Sequence, residues 1–132
     1  MAASNKPFVV LHVEDHEDIR GIVAAALSPI GVTVLNAPDG IAGLEVAMRE
    51  TPDLILLDTM MPGMDGLTLC GRLRELPQFK TTPIFILSTL NQSKDVERAM
   101  KQQATGYITK PIDIGKLRHD VLGLIERKAR GA

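Results

Sequence analysis

Tryptophan is absent, and aromatic residues make up 3% of the 132 positions: Phe8, Phe79, Phe85 and Tyr107. Four scattered rings offer no platform on which bases could stack. Cys70 is the one cysteine, which excludes an internal disulfide and any multi-cysteine zinc or iron–sulfur cluster and suits a reducing compartment. There is also no excess of one charge: 15 Lys and Arg face 16 Asp and Glu, for a formal net charge of -1. The electrostatic footprint of a dedicated nucleic-acid binder is therefore missing. No apolar run approaches the roughly 20 residues needed to cross a bilayer, and residues 1–7 are polar with no apolar signal core. These absences predict a cytoplasmic protein that binds neither membrane nor nucleic acid directly.

With 45% hydrophobic and 23% charged residues, the chain can bury one good core, and it has room for one domain of ordinary size. Five short apolar runs recur along it: Phe8 to Val13, Val32 to Ala37, Leu54 to Leu57, Ile84 to Leu87 and Tyr107 to Thr109. FVVLHV, LILL and IFIL are apolar at consecutive positions, as strands covered on both faces are. Stretches with 3.6-residue spacing follow each run. Ile19, Ile22, Val23, Ala26 and Leu27 line one helix face; Ile41, Leu44, Val46, Ala47 and Met48 line a second, with Asp39 as its cap. Helices are also expected over Gly66 to Leu76, over Ser93 to Gln103 capped by Ser93, and over Ile114 to Arg127 capped by Asp113. The pattern predicts an α/β domain over residues 7–127, with flexible tails at 1–6 and 128–132. Its architecture is (βα)5, a doubly wound, flavodoxin-like parallel five-stranded sheet of order 2-1-3-4-5.

Ligands of such sheets bind beyond the carboxyl ends of the strands. The residues expected there are Glu14 and Asp15 after strand 1, Asp58 after strand 3, Ser88 after strand 4 and Lys110 after strand 5. Each alone is an ordinary turn or cap residue; together they place three acids, a hydroxyl and an ammonium on one edge. Strands 1 and 3 are neighbours in this order, so Asp15 and Asp58 lie side by side, and their repulsion calls for a cation. A small hard ion with oxygen ligands, Mg²⁺, fits a carboxylate site of this kind. His12 within strand 1 and His16 after the acidic pair read as packing and loop residues rather than ligands, and His119 as a residue of a solvated helix face. Met60, Met61 and Met64 read as loop packing, and Arg127, Lys128 and Arg130 as a solvated tail.

These residues resemble those of the receiver domains of two-component response regulators over about residues 7 to 127. The carriers are the VED of Val13 to Asp15, LILLDTMMPGMDG at Leu54 to Gly66, ILST at Ile86 to Thr89 and GYITKP at Gly106 to Pro111. The resemblance implies that Asp58 is the phosphoacceptor for a phosphohistidine on a sensor histidine kinase or phosphotransfer protein. It implies Mg²⁺ held by Asp15, Asp58 and the backbone carbonyl of Met60, with Glu14 acting through water. Lys110 and Ser88 would bind the phosphoryl group, Ser88 and Tyr107 would form the switch, and the Lys110–Pro111 peptide would be cis. Met60 and Leu90 stand where the family tunes phosphoryl lifetime; both are apolar and neither can orient a water, which predicts a long-lived phosphoryl group.

Three departures stand out. Thr89 replaces the usual Ala or Gly, Gln103 replaces a glycine common at the end of helix 4, and Ile112 replaces a common Phe. The expected function is a phosphorylation-switched module that catalyses no reaction beyond its own phosphorylation and dephosphorylation. Its output would be protein–protein contact through helix 4, strand 5 and helix 5, with homodimerisation left open. Two alternatives stand: a receiver excised from a hybrid histidine kinase or DNA-binding regulator, and an aspartyl phosphohydrolase. The last is weakened because the position two after Asp58, where such enzymes carry a second acid, is Met60.

Overall fold

The computed structural model describes residues 7–89 and 93–131, with 93–95 described in backbone only. Five strands, β1 (Phe8–Val13), β2 (Val32–Ala37), β3 (Leu54–Asp58), β4 (Ile84–Ser88) and β5 (Gly106–Thr109), form one parallel sheet of order β2-β1-β3-β4-β5. The helices are α1 (Glu17–Leu27), α2 (Gly40–Glu50), α3 (Gly66–Arg74), α4 (Ser93–Lys101) and α5 (Ile114–Ala129). This is the doubly wound topology expected from the alternation of runs. Every residue of β3 is buried, as the central strand of a sheet covered on both faces must be. One core, including Leu11, Ile55, Leu57, Leu69 and Ile86, lies on one side of the sheet. The other, including Val10, Val23, Leu54, Leu56 and Leu117, lies opposite.

Helix starts follow side-chain caps. Asp39, Asp65 and Asp113 accept hydrogen bonds from the amides of Ala42, Thr68 and Lys116 at 2.8, 2.7 and 3.0 Å, each satisfying one donor with no partner inside its helix. The cap expected of Ser93 concerns a side chain outside those described. In α2 the buried positions are Gly40, Gly43 and Ala47, whereas Ile41 and Met48 are 64% and 50% exposed. The expected apolar face is therefore corrected at Ile41 and Met48, while Ala47 is buried and Leu44 and Val46 pack partly buried against the core. A Cβ on Gly43 would stand 2.8 Å from Val13 Cγ2, so the helix also seats a glycine against β1. Two helices end earlier than expected. α3 stops at Arg74 before a short 3-10 turn at Pro77–Phe79, and α4 stops at Lys101, with Gln103 in the left-handed region at φ 64°.

The far end of the sheet is tied by Asp53. Its carboxylate accepts from the Val9 amide at 2.8 Å and pairs with Lys128, whose ammonium lies 5.9 Å from the centre of the Phe8 ring. Lys128 is thus part of α5 and anchored to the base of the sheet, which corrects its reading as a solvated tail. Arg74, 7% exposed, is held by four acceptors: the carbonyls of Phe79, Thr82 and Gln103 and the hydroxyl of Thr105. It joins α3 to the segments entering β4 and β5.

Cys70 is fully buried in α3, with its Sγ 3.3 Å from the Gln102 carbonyl, and burial pushes its thiol up to about 11. A pKa raised on folding stabilises fully below the unfolded value near 9 and loses that contribution as pH rises through the folded value. The stability advantage of the wild type over Cys70→Ala is expected to shrink by about 2 kcal/mol between pH 8 and pH 10.5. Urea unfolding of both proteins at the two pH values measures this; an unchanged gap would contradict it.

Candidate functional site

The strand ends deliver their side chains to one edge. Asp58 is the last residue of β3 and 2% exposed; Glu14 follows β1 and is fully buried. Lys110, just past β5, reaches across β4 to both acids. Its Nζ donates to Asp58 Oδ1 at 2.7 Å and to Glu14 Oε1 at 3.2 Å. The backbone aims it there, since the Lys110 amide donates to the Ser88 carbonyl at 2.9 Å and the Lys110–Pro111 peptide is cis. Glu14 is fixed by its own amide, which donates to the Ala37 carbonyl at 2.9 Å, and by Arg20, whose Nη1 donates to the Glu14 carbonyl at 2.7 Å.

Burial and the neighbouring Asp58 charge push the Glu14 carboxyl above its ordinary range, with Lys110 opposing them. Burial alone would lower the Lys110 ammonium, but the hydrogen bond and charge of Asp58, with those of Glu14, outweigh it and hold the group above its usual value. Lys110 is therefore a permanent cation. His12, fully buried and with Nε2 3.8 Å from Glu14 Oε1, is lowered to about 4 by burial and by the charges of Lys110 and Arg20. It is a neutral packing residue, as expected from its place in β1.

Asp15 Oδ1 and Asp58 Oδ2 are buried and accept no hydrogen bond among the described residues. One ligand atom from each of Glu14, Asp15, His16 and Asp58 can be chosen so that all four lie within 4.8 Å of one another. An oxygen-rich set with two orphaned carboxylate oxygens fits a divalent cation, and Mg²⁺ among the hard ions. His16 was expected to be a loop residue, yet its Nδ1 stands 3.2 Å from both Glu14 Oε2 and Asp15 Oδ1. Its place directly after the acidic pair is the signal that could have found it.

The remaining expected residues lie around this group. Ser88 ends β4 and is 1% exposed. Met60 sits in the loop after β3 with its side chain 65% exposed. Tyr107, in β5, packs half-buried against the core on the α3 side, and its buried hydroxyl has no hydrogen-bond partner among the described residues. Leu90 lies outside the described residues. Thr89 is exposed and lines an apolar hollow of about 520 Å³ with Ile19, Ile22, Pro111, Ile112 and Ile114, beside Lys110. The loop closes tightly on itself at Gly66, where a Cβ would stand 2.2 Å from the Asp58 carbonyl oxygen.

A five-stranded doubly wound domain with buried acids and a lysine at its carboxyl edge is the architecture of a phosphorylation-controlled signalling domain. The response regulator receiver domain model matches residues 10–122, and the chain belongs to that family. It is 42% identical over 104 residues to the transcriptional regulatory protein CseB of Streptomyces coelicolor, covering 79% of this chain and 43% of that protein. It is 38% identical over 104 residues to the response regulator PleD of Caulobacter vibrioides, covering 79% and 23%. Among solved structures, chemotaxis protein CheY4 of Vibrio cholerae superposes with a TM-score of 0.85 at 30% identity, over 90% of this chain and 99% of that one. The chain thus spans less than half the length of these two regulators and nearly all of CheY4. Among the described residues, no helix is long and apolar enough to cross a membrane.

Removing the cation tests the electrostatic account. Lys110→Met leaves Glu14 and Asp58 buried with no ammonium between them, and a broken buried pair costs roughly 3–5 kcal/mol. Urea unfolding at pH 7.5 is expected to show a loss on that scale, partly recovered by millimolar MgCl₂. A variant as stable as wild type would show that Lys110 does not hold the two acids together.

Proposed function

We propose that Asp58 accepts a phosphoryl group from a phosphohistidine of a sensor kinase or phosphotransfer protein, and that the resulting charge switches a protein-binding surface. The observation that carries this is the state of the Asp58 carboxylate. One oxygen is held by Lys110 at 2.7 Å and the other is buried beside a second acid with no hydrogen bond among the described residues. In the transfer, the P–N bond of the donor breaks, its electron pair returns to the imidazole, and a new P–O bond forms at Asp58. Lys110, bonded to Asp58 Oδ1, would meet the phosphoryl oxygens, and Ser88, at the end of the neighbouring strand, would donate its hydroxyl to them. Asp15, Asp58 and the Met60 carbonyl would hold Mg²⁺, with Glu14 acting through water; when bound, the ion offsets the carboxylate charge and that of the incoming group.

About two added negative charges at Asp58 favour conformations in which Ser88 and Lys110 bond the phosphoryl oxygens. Tyr107, with its hydroxyl unpartnered among the described residues, is the aromatic that would follow Ser88. The surface of α4, β5 and α5, where Val96, Met100 and Leu122 are 39%, 56% and 47% exposed, is the proposed output face. The partner is a downstream protein, or a second copy of the chain. Incubation with ³²P-acetyl phosphate and Mg²⁺ is expected to label the wild type and not Asp58→Asn. Persistent labelling of the variant would reject Asp58 as acceptor.

The label should also be long-lived. Met60 presents an exposed thioether rather than a group able to position water, and Leu90 adds a second apolar residue. Met60→Asn combined with Leu90→Glu is expected to speed loss of label on the order of tenfold or more, within the range that general acid–base assistance supplies. An unchanged decay would show that these positions do not limit hydrolysis.

A further inference from the structure

We propose that His16 turns the acidic site into a mixed oxygen and nitrogen site that binds a divalent transition-metal ion of the Co²⁺ and Zn²⁺ class. This rests on the reading of Glu14, Asp15 and Asp58 as a divalent-cation site and adds a ligand to it. The imidazole Nδ1 lies 3.2 Å from Asp15 Oδ1 and 3.2 Å from Glu14 Oε2, and it belongs to the four-residue group whose ligand atoms fall within 4.8 Å of one another. A second observation concerns the same group: Asp58, 2% exposed, has a buried Oδ2 with no hydrogen-bond partner among the described residues.

Lys110 occupies the other side of the acids, on Asp58 Oδ1 and Glu14 Oε1. Glu14, Asp15, Asp58 and His16 each offer one ligand atom to the group. Three oxygens and one imidazole nitrogen are a donor set that hard ions use poorly and borderline ions use well, because imidazole suits Zn, Ni and Cu while carboxylate and water suit Mg. Nδ1 lies within hydrogen-bonding distance of Glu14 Oε2. Ligation through Nδ1 uses the neutral tautomer that carries its hydrogen on Nε2, and the side chain is 63% exposed. His16 is also the residue that precedes α1 and makes no side-chain capping bond, so its ring is not committed to the helix.

The test is direct binding to the untagged full chain, followed by isothermal titration with CoCl₂ and separately with MgCl₂, for wild type, His16→Ala and Asp15→Asn. The expected result is that His16→Ala weakens Co²⁺ binding by about tenfold or more, the scale reached by loss of even an outer-shell partner. Mg²⁺ binding should change by less than about threefold. In ¹⁵N-imidazole NMR, Zn²⁺ should shift the Nδ1 resonance of His16 and leave those of His12 and His119 in place. Equal Co²⁺ affinity in wild type and His16→Ala, with Mg²⁺ still bound, would overturn this inference while leaving the cation site intact. Binding of neither ion, or no effect of Asp15→Asn on either, would overturn the cation site itself and the inference with it.

Discussion

The ammonium of Lys110 is the one cation among the described residues within hydrogen-bonding distance of the Asp58 carboxylate, and it also holds the buried Glu14. Buried carboxylates on neighbouring strands repel strongly in a medium that screens poorly, and a sheet that ends two central strands in acids has to counter that repulsion. It does so from the far side of β4. The lysine leaves β5, its amide bonded to Ser88, and its chain crosses to β3 and β1. The register of four strands is thus expressed in one contact, and a displacement of β5 would change the environment of Asp58 directly. The same ammonium leaves Asp58 Oδ2 and Asp15 Oδ1 for other use, so the charge balance of the resting site and its capacity for a ligand share one arrangement.

Most of the fold was legible because it depends on signals local to each segment. Continuous apolar runs mark doubly covered strands, and Asp39 and Asp113 mark helix starts; together these are enough to predict the order of the sheet. The miss in α2 has a plain physical origin. Hydrophobic spacing singles out large side chains such as Ile41 and Met48, whereas this helix approaches Val13 of β1 so closely that Gly43 stands at the contact, and Gly40 and Ala47 are buried with it. Which residues face inward was decided by interhelix and helix–sheet distance, which no window of sequence carries. Lys128 was misread for a similar reason: its partner Asp53 is remote in sequence, and only the packing of α5 brings them together.

The acids and Lys110 were legible as site residues because strand exits follow from the strand pattern. His16 was read as a loop residue and lies in the loop before α1; its approach to Asp15 and Glu14 depends on how the chain turns between β1 and α1. Gln103 shows the opposite case. Replacing a common glycine left two outcomes open, a non-glycine in the left-handed turn or a different helix end, and Gln103 takes the first at φ 64°, with its carbonyl accepting from Arg74 at 2.9 Å. That hydrogen bond and the one its amide donates to the Met100 carbonyl at 2.9 Å hold the residue on both sides of its left-handed turn.

The tight closure at Gly66 has a mechanical corollary. The loop after β3 leaves from Asp58 and returns so near its starting carbonyl that a methyl group would not fit between them, and Met64 within the loop is pressed against Gly40 of α2. A loop held at both ends and along one side has little slack. The backbone of the acceptor and the first residue of α3 are therefore neighbours in space as well as the two ends of one loop, and any side chain at position 66 would push them apart.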